Sequence, residues 1–190
     1  LIQFDISHRE ECRSRLEADI AEHGAYYGVV NNAGITRDGP LKRLQPEQWN
    51  AVISTNLNSM YNMTQPLFEA MCNRGFGRIV NISSLNGEKG QFGQANYSAA
   101  KAGIHGFTKA LAQEVARKGV TVNTVSPGYI KTAMVAKISQ EIQDQICSTI
   151  PVGRFGTPEE IGRIVTFLAE DESGYIPGAD MSINGGLHMH

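Results

Sequence analysis

Two short strand-like runs flank a long helical pattern, and that arrangement constrains the fold more than any other feature. Arg78–Ile82 reads as a buried strand, residues 95–118 as a helix closed by Gly119, and Val120–Val125 as the next strand. A strand, a helical crossover and a second strand imply parallel pairing, because a tight hairpin joins only antiparallel neighbours. The alternation extends both ways. Leu1–Phe4 reads as a short strand, and Ser7-x-x-Glu10 fits a capping box that starts a helix running to about Gly24. Tyr27–Val30 is a further strand. Pro46 opens a helix that continues towards Met71, with a kink expected at Pro66. Gly87–Gln94 is a Gly-rich loop and residues 129–150 a flap. Thr157-Pro158-Glu159-Glu160 caps another helix, and Asp180–Ile183 is the last strand. The expected fold is α/β, a doubly wound parallel sheet.

In such sheets ligands bind at the carboxyl ends of the strands. The polar and Gly-rich segments Asn31–Gly34, Ser84–Gln94 and Ser126–Gly128 all fall there, so they converge on one crevice. Within it, Tyr97 and Lys101 stand at i and i+4 of one helix and share a face. An ammonium beside a phenol favours the ionised form and lowers a pKa that is ordinarily about 10. That pairing makes a proton donor suited to a carbonyl accepting hydride. Ser84 is a second hydrogen-bond donor to the same oxygen. Six Tyr and seven Lys in 190 residues leave about 0.2 accidental pairs at this spacing, so chance is a weak competitor.

Composition removes other classes. A net charge of −2 offers no electrostatic reason to bind nucleic acid or an anionic membrane, and no apolar run is long enough to span a bilayer. Cys12, Cys72 and Cys147 are scattered and read as reduced thiols of a cytoplasmic protein. His188 and His190, without acidic or Cys partners, read as a tail, and no metal site is expected.

These motifs, in this order, resemble the short-chain dehydrogenase/reductase family across essentially the whole chain. The resemblance rests on Asn31-Asn32-Ala33-Gly34, Asn56 in Thr-Asn-Leu, Ser84, Tyr97-x-x-x-Lys101 and Pro127-Gly128. Within the family, Asn81–Gly106 and the ending Asn184-Gly185-Gly186-Leu187-His188-Met189 are most similar to the subgroup that reduces acetoacetyl-CoA in polyhydroxyalkanoate supply. Reducers of 3-oxoacyl groups on acyl carrier protein are its nearest relatives. The resemblance implies that Tyr97 is the acid, that Lys101 tunes it and holds nicotinamide ribose hydroxyls, and that Ser84 holds the substrate carbonyl. Asn56 would hold a water behind Lys101.

For an NADPH cofactor the resemblance implies Asp5 and the Ile6 backbone at adenine, Asn32, Ala33 and Gly34 at ribose, and Pro127, Gly128, Ile130 and Thr132 at nicotinamide and pyrophosphate. Asp38, Gln91, Gln94 and Tyr129 would meet the acyl thioester. Arg37, Lys131 and Lys137 are cations near a CoA phosphate by segment alone. Structural alternatives stand beside these roles. Asp5 and Asp38 are also turn formers, Gln91 and Gln94 ordinary loop residues, and Pro127-Gly128 a plain turn. Gly103 and Gly106, with neighbouring alanines, are packing residues of a helix that pairs across subunits in this family, which implies a homotetramer.

The family's Thr-Gly-x-x-x-Gly-x-Gly fingerprint does not occur in residues 1–190, nor do its first two strands and helices. Leu1–Phe4 would be the third strand, left without a neighbour, and the domain would be single and N-terminally incomplete. Two readings follow: a piece of a complete reductase, or a catalytically silent subunit kept for oligomerisation or interaction.

Overall fold

Strand β2, Gly77–Ile82, is buried at every position, so its alternate side chains must serve two cores. A computed structural model of the chain describes residues 1–132 and 139–189 and shows both. Ile79 joins Leu16, Leu67, Met71, Val115 and Val122 on one face of the sheet. Val80 and Ile82 join Val125 and Leu168 on the other. The sheet holds β1 (Gly28–Asn31), β2, β3 (Val120–Pro127) and β4 (Asp180–Ile183) in that order, all parallel. Helices α1 (Arg9–His23), α3 (Ser59–Arg74) and α5 (Ala95–Val115) supply the first core, and α7 (Pro158–Ala169) the second. The doubly wound α/β expectation therefore holds, with a helical layer on each face.

Local signals explain most element ends. Thr157 and Glu160 exchange both capping-box hydrogen bonds around Pro158. Gly119 ends the helical run at φ 72°, where an added Cβ would sit 2.2 Å from the Gly75 carbonyl. Three expectations need correction. Leu1–Phe4 is not a strand: among the described residues β1 pairs with β2 alone, so this segment has no ladder to join, although Phe4 packs on the core. The Ser7 capping box does not form, because Asp5 Oδ1 takes the Ser7 N–H at 2.8 Å and His8 becomes the N-cap. The break in the second helix falls at a π-helical turn, Ser54–Asn58, between α2 (Pro46–Ile53) and α3, while Pro66 lies inside α3.

The segment expected as a Gly-rich loop opens with a short helix, α4 (Leu85–Lys89), whose N-cap is Ser84. Beyond β3, α6 covers Gln140–Thr149; Lys137 lies outside the described residues. A buried polar ladder crosses the first face near the strand ends. Asn31 Nδ2 donates to Asn81 Oδ1 at 2.8 Å, Asn81 Nδ2 to Thr108 at 2.9 Å, and Thr124 to Thr108 at 2.9 Å. The ladder locks α5 to three strands just below Tyr97 and Lys101, since buried amides need every partner they can reach. None of the described helices is long and apolar enough to cross a membrane.

Candidate active site

Helix α5 presents Tyr97 and Lys101 on one face, and the Lys101 ammonium lies 5.6 Å from the centre of the Tyr97 ring. Lys101 is 3% exposed and donates to the carbonyl of Ile82, the last residue of β2, at 2.7 Å. Burial pulls its pKa down to about 8. Tyr97 differs from expectation. Its phenol is pushed above the ordinary value, first by burial and also by the charge of Asp38, with hydrogen bonding to Ser84 opposing. Desolvation decides the direction, so Tyr97 holds its proton more firmly than a free phenol does.

Ser84, released from the end of β2, accepts from Asn86 N at 3.1 Å while lining the site. Two adjoining cavities meet at Ser84 and Tyr97. An inner one of about 350 Å³ reaches Lys101, Asn32 and Gly34. An outer one of about 280 Å³ reaches Gln94, Tyr129 and Ile130. Pro127, Gly128 and Thr132 line both. Ser84 and Tyr97 thus sit where the two cavities join.

Asn56 occupies the π turn and is fully buried. Its amide clamps Ile35, accepting from Ile35 N and donating to Ile35 O, each at 2.8 Å. A Cβ on Gly34 would lie 2.6 Å from Asn56 Oδ1, so glycine is needed there for close packing. Gly128 is needed for a different contact, with Asn184 of the C-terminal loop, 2.8 Å from its would-be Cβ.

Other expected residues scatter. Asp5 forms a turn with Ser7, and the Ile6 carbonyl accepts from buried Asn62 at 3.0 Å. Neither lines the two cavities, and Ala33 and Gln91 do not either. Gln91 accepts from exposed Lys89. Gln94 is central: it donates to Asp38 at 3.0 Å and accepts from Asn86 at 2.9 Å. Arg37 bonds the Thr36 carbonyl, and Lys131 lines a separate hollow beside α6. Gly103 packs on Leu57, whereas Gly106 faces open space. Thr36 and Asn86 escaped sequence reading, although each stands two residues beyond a motif member, Gly34 and Ser84.

The inner cavity suits a nicotinamide nucleotide. A charged Lys101 has three N–H donors and one acceptor in Ile82 O, so vicinal ribose hydroxyls would complete its needs. Fold and site together define a nicotinamide-dependent oxidoreductase. The chain belongs to the short-chain dehydrogenase/reductase family: a family model described as Enoyl-(Acyl carrier protein) reductase matches residues 1–188. It is 60% identical over 169 residues to an acetoacetyl-CoA reductase of Cupriavidus necator, covering 89% of this chain and 69% of that protein. It is 54% identical to the acetoacetyl-CoA reductase of Rhizobium meliloti, over 98% of this chain and 78% of that protein. The 3-oxoacyl-[acyl-carrier-protein] reductase FabG of Escherichia coli is 44% identical, over 99% and 77%.

Proposed function

We propose that this protein reduces the 3-oxo group of a short acyl thioester, acetoacetyl-CoA above all, with NADPH. The observation that carries the reading is that Ser84 and Tyr97 line both cavities while Lys101 is buried in the inner one. A bound nicotinamide supplies hydride to the carbonyl carbon. Tyr97 gives its retained proton to the carbonyl oxygen, and Ser84 Oγ hydrogen-bonds that oxygen as charge develops. Lys101 would hold the ribose hydroxyls with the N–H groups that Ile82 leaves free. Asn56 keeps the Gly34–Ile35 turn against Lys101, and a water at its π turn would pass protons onward.

The outer cavity favours a small neutral acyl group. Gln94 and Tyr129 offer hydrogen bonds without charge, and Asp38 fixes the Gln94 amide. Substrate choice leans on acetoacetyl-CoA reductases at 54–60% identity against 44% for the carrier-protein enzyme. Turnover of acetoacetyl-CoA and of acetoacetyl carrier protein, each with NADPH and NADH, tests it. Preference for the carrier-protein thioester would replace the CoA reading; no turnover with either would favour a silent subunit.

A homotetramer and a cytoplasmic location complete the proposal. Tyr61, Phe68 and Phe107 line an open hollow of about 550 Å³ on the outer side of α3 and α5, a face suited to a second copy. Cys12, Cys72 and Cys147 are free thiols, as a reducing compartment allows. Light scattering that finds only monomer would remove the tetramer.

A further inference from the structure

Behind the catalytic helix, Glu88 of α4, His105 of α5 and Asp180 of β4 converge, with one ligand-type atom from each within 4.8 Å of the others. Their side chains are 8%, 15% and 18% exposed. A serine orients each one. Ser182 donates to Glu88 Oε2 at 3.1 Å, Ser126 donates to Asp180 Oδ1 at 2.8 Å, and Ser83 Oγ lies 3.0 Å from His105 Nε2. Glu88 Oε1 is buried without a hydrogen-bond partner. His105 Nδ1 faces Asp180 Oδ2 at 3.3 Å.

The protons show what this cluster lacks. The Lys101 carbonyl only accepts, so Ser83 spends its single proton there, at 2.8 Å. His105 Nε2 must then carry the proton it shares with Ser83. This rules out Ser83–His105–Asp180 as a nucleophilic triad, because the hydroxyl has no proton left for the imidazole. It also turns the Nδ1 lone pair of a neutral His105 against a carboxylate oxygen. A proton on Nδ1 would satisfy that pair yet leave Glu88 Oε1 buried and unmatched. A divalent cation would satisfy all three groups. Ligands about 2.0–2.1 Å from a tetrahedral ion lie about 3.3 Å apart, which is the separation of Nδ1 and Oδ2, and the Glu88 oxygen, within 4.8 Å of both, would close in on the ion.

We propose that Glu88, His105 and Asp180 bind a divalent transition metal of the zinc class, with water completing the tetrahedron. One imidazole and two carboxylates suit such ions, and the serines act as the orienting outer shell. The ion would tie α4, which follows Ser84, to the helix of Tyr97 and Lys101 and to β4.

Chelator-stripped protein titrated with Zn²⁺ tests this. One equivalent should bind and raise the melting temperature, and Co²⁺ should give the strong visible absorption of a four-coordinate site. Glu88→Gln and His105→Asn should each weaken binding at least tenfold and abolish the cobalt band. Ser83→Ala, which removes the orienting contact together with the bond to the Lys101 carbonyl, should weaken it about 10–100-fold. A Cys72→Ser/Cys147→Ser variant should bind as the parent does. Equal zinc uptake by the parent, Glu88→Gln and His105→Asn would overturn the proposal and leave a His105–Asp180 ion pair.

Discussion

The Lys101 ammonium donates to the carbonyl of Ile82 at 2.7 Å, joining α5 to the end of β2. This bond is made by a cation that the fold strips of water, and burial lowers its pKa from 10.5 to about 8. Between those values the unfolded chain binds more protons than the folded one, so this group makes stability rise with pH across that window. Below it, the buried charge costs about 3 kcal/mol. Lys101→Met should therefore raise the melting temperature of the unliganded protein at pH 7 and lose that advantage near pH 10. Calorimetry at both pH values checks this; an equal shift at both would remove the buried-charge explanation.

The same ionisation should govern cofactor binding. NADPH affinity, followed by fluorescence, should weaken as pH rises through about 8, where Lys101 loses its charge. Lys101→Arg does not titrate in this range. An inflection that survives in Lys101→Arg would belong to another group.

Burial raises the pKa of Tyr97 above that of a free tyrosine, which is itself protonated at neutral pH. Reduction should not lose this acid below pH 10, whereas the reverse oxidation, which needs the phenolate, should keep rising with pH. Tyr97→Phe should lower kcat for reduction about 10²–10⁴-fold while leaving NADPH affinity within a few-fold. A loss of affinity equal to the loss of rate would make Tyr97 a binding residue.

Asn56 and Gly34 should behave as a coupled pair. Asn56→Ala unpairs both Ile35 backbone groups and should cost about 2–3 kcal/mol. Gly34→Ala drives a methyl into Asn56 Oδ1, 2.6 Å away, and should also destabilise. Together they should cost less than the sum, by about 1 kcal/mol, since the double variant removes the clash. Strict additivity in denaturant unfolding would break the pairing.

Gly119 combines φ 72° with a would-be Cβ 2.2 Å from the Gly75 carbonyl. Gly119→Ala should cost more than about 2 kcal/mol, from left-handed strain plus backbone displacement, and should move the α5–β3 turn. A melting temperature within a degree of the parent would show that the turn relaxes freely.

What was legible in the sequence was local. The strand–helix alternation, the Thr157–Glu160 cap and the shared face of Tyr97 and Lys101 follow from short-range periodicity and the nearest few residues. Leu1–Phe4 and Ser7 show the limit of such signals. A strand pattern needs a neighbour to pair with, and a capping serine loses its place when Asp5 takes its N–H first.

The chain order alone therefore determined a parallel α/β sheet and the placing of Tyr97 and Lys101 on one helix face at the carboxyl ends of its strands. Tertiary structure alone decided how those groups ionise, because desolvation depends on what closes over them: Lys101 is lowered, and Tyr97 is raised rather than lowered. It also decided which distant side chains meet. Gln94 reaches Asp38, Asn56 reaches Ile35, and Glu88, His105 and Asp180 gather around one point. No local pattern predicts these contacts, since each joins residues that only the packing of helices on the sheet brings together.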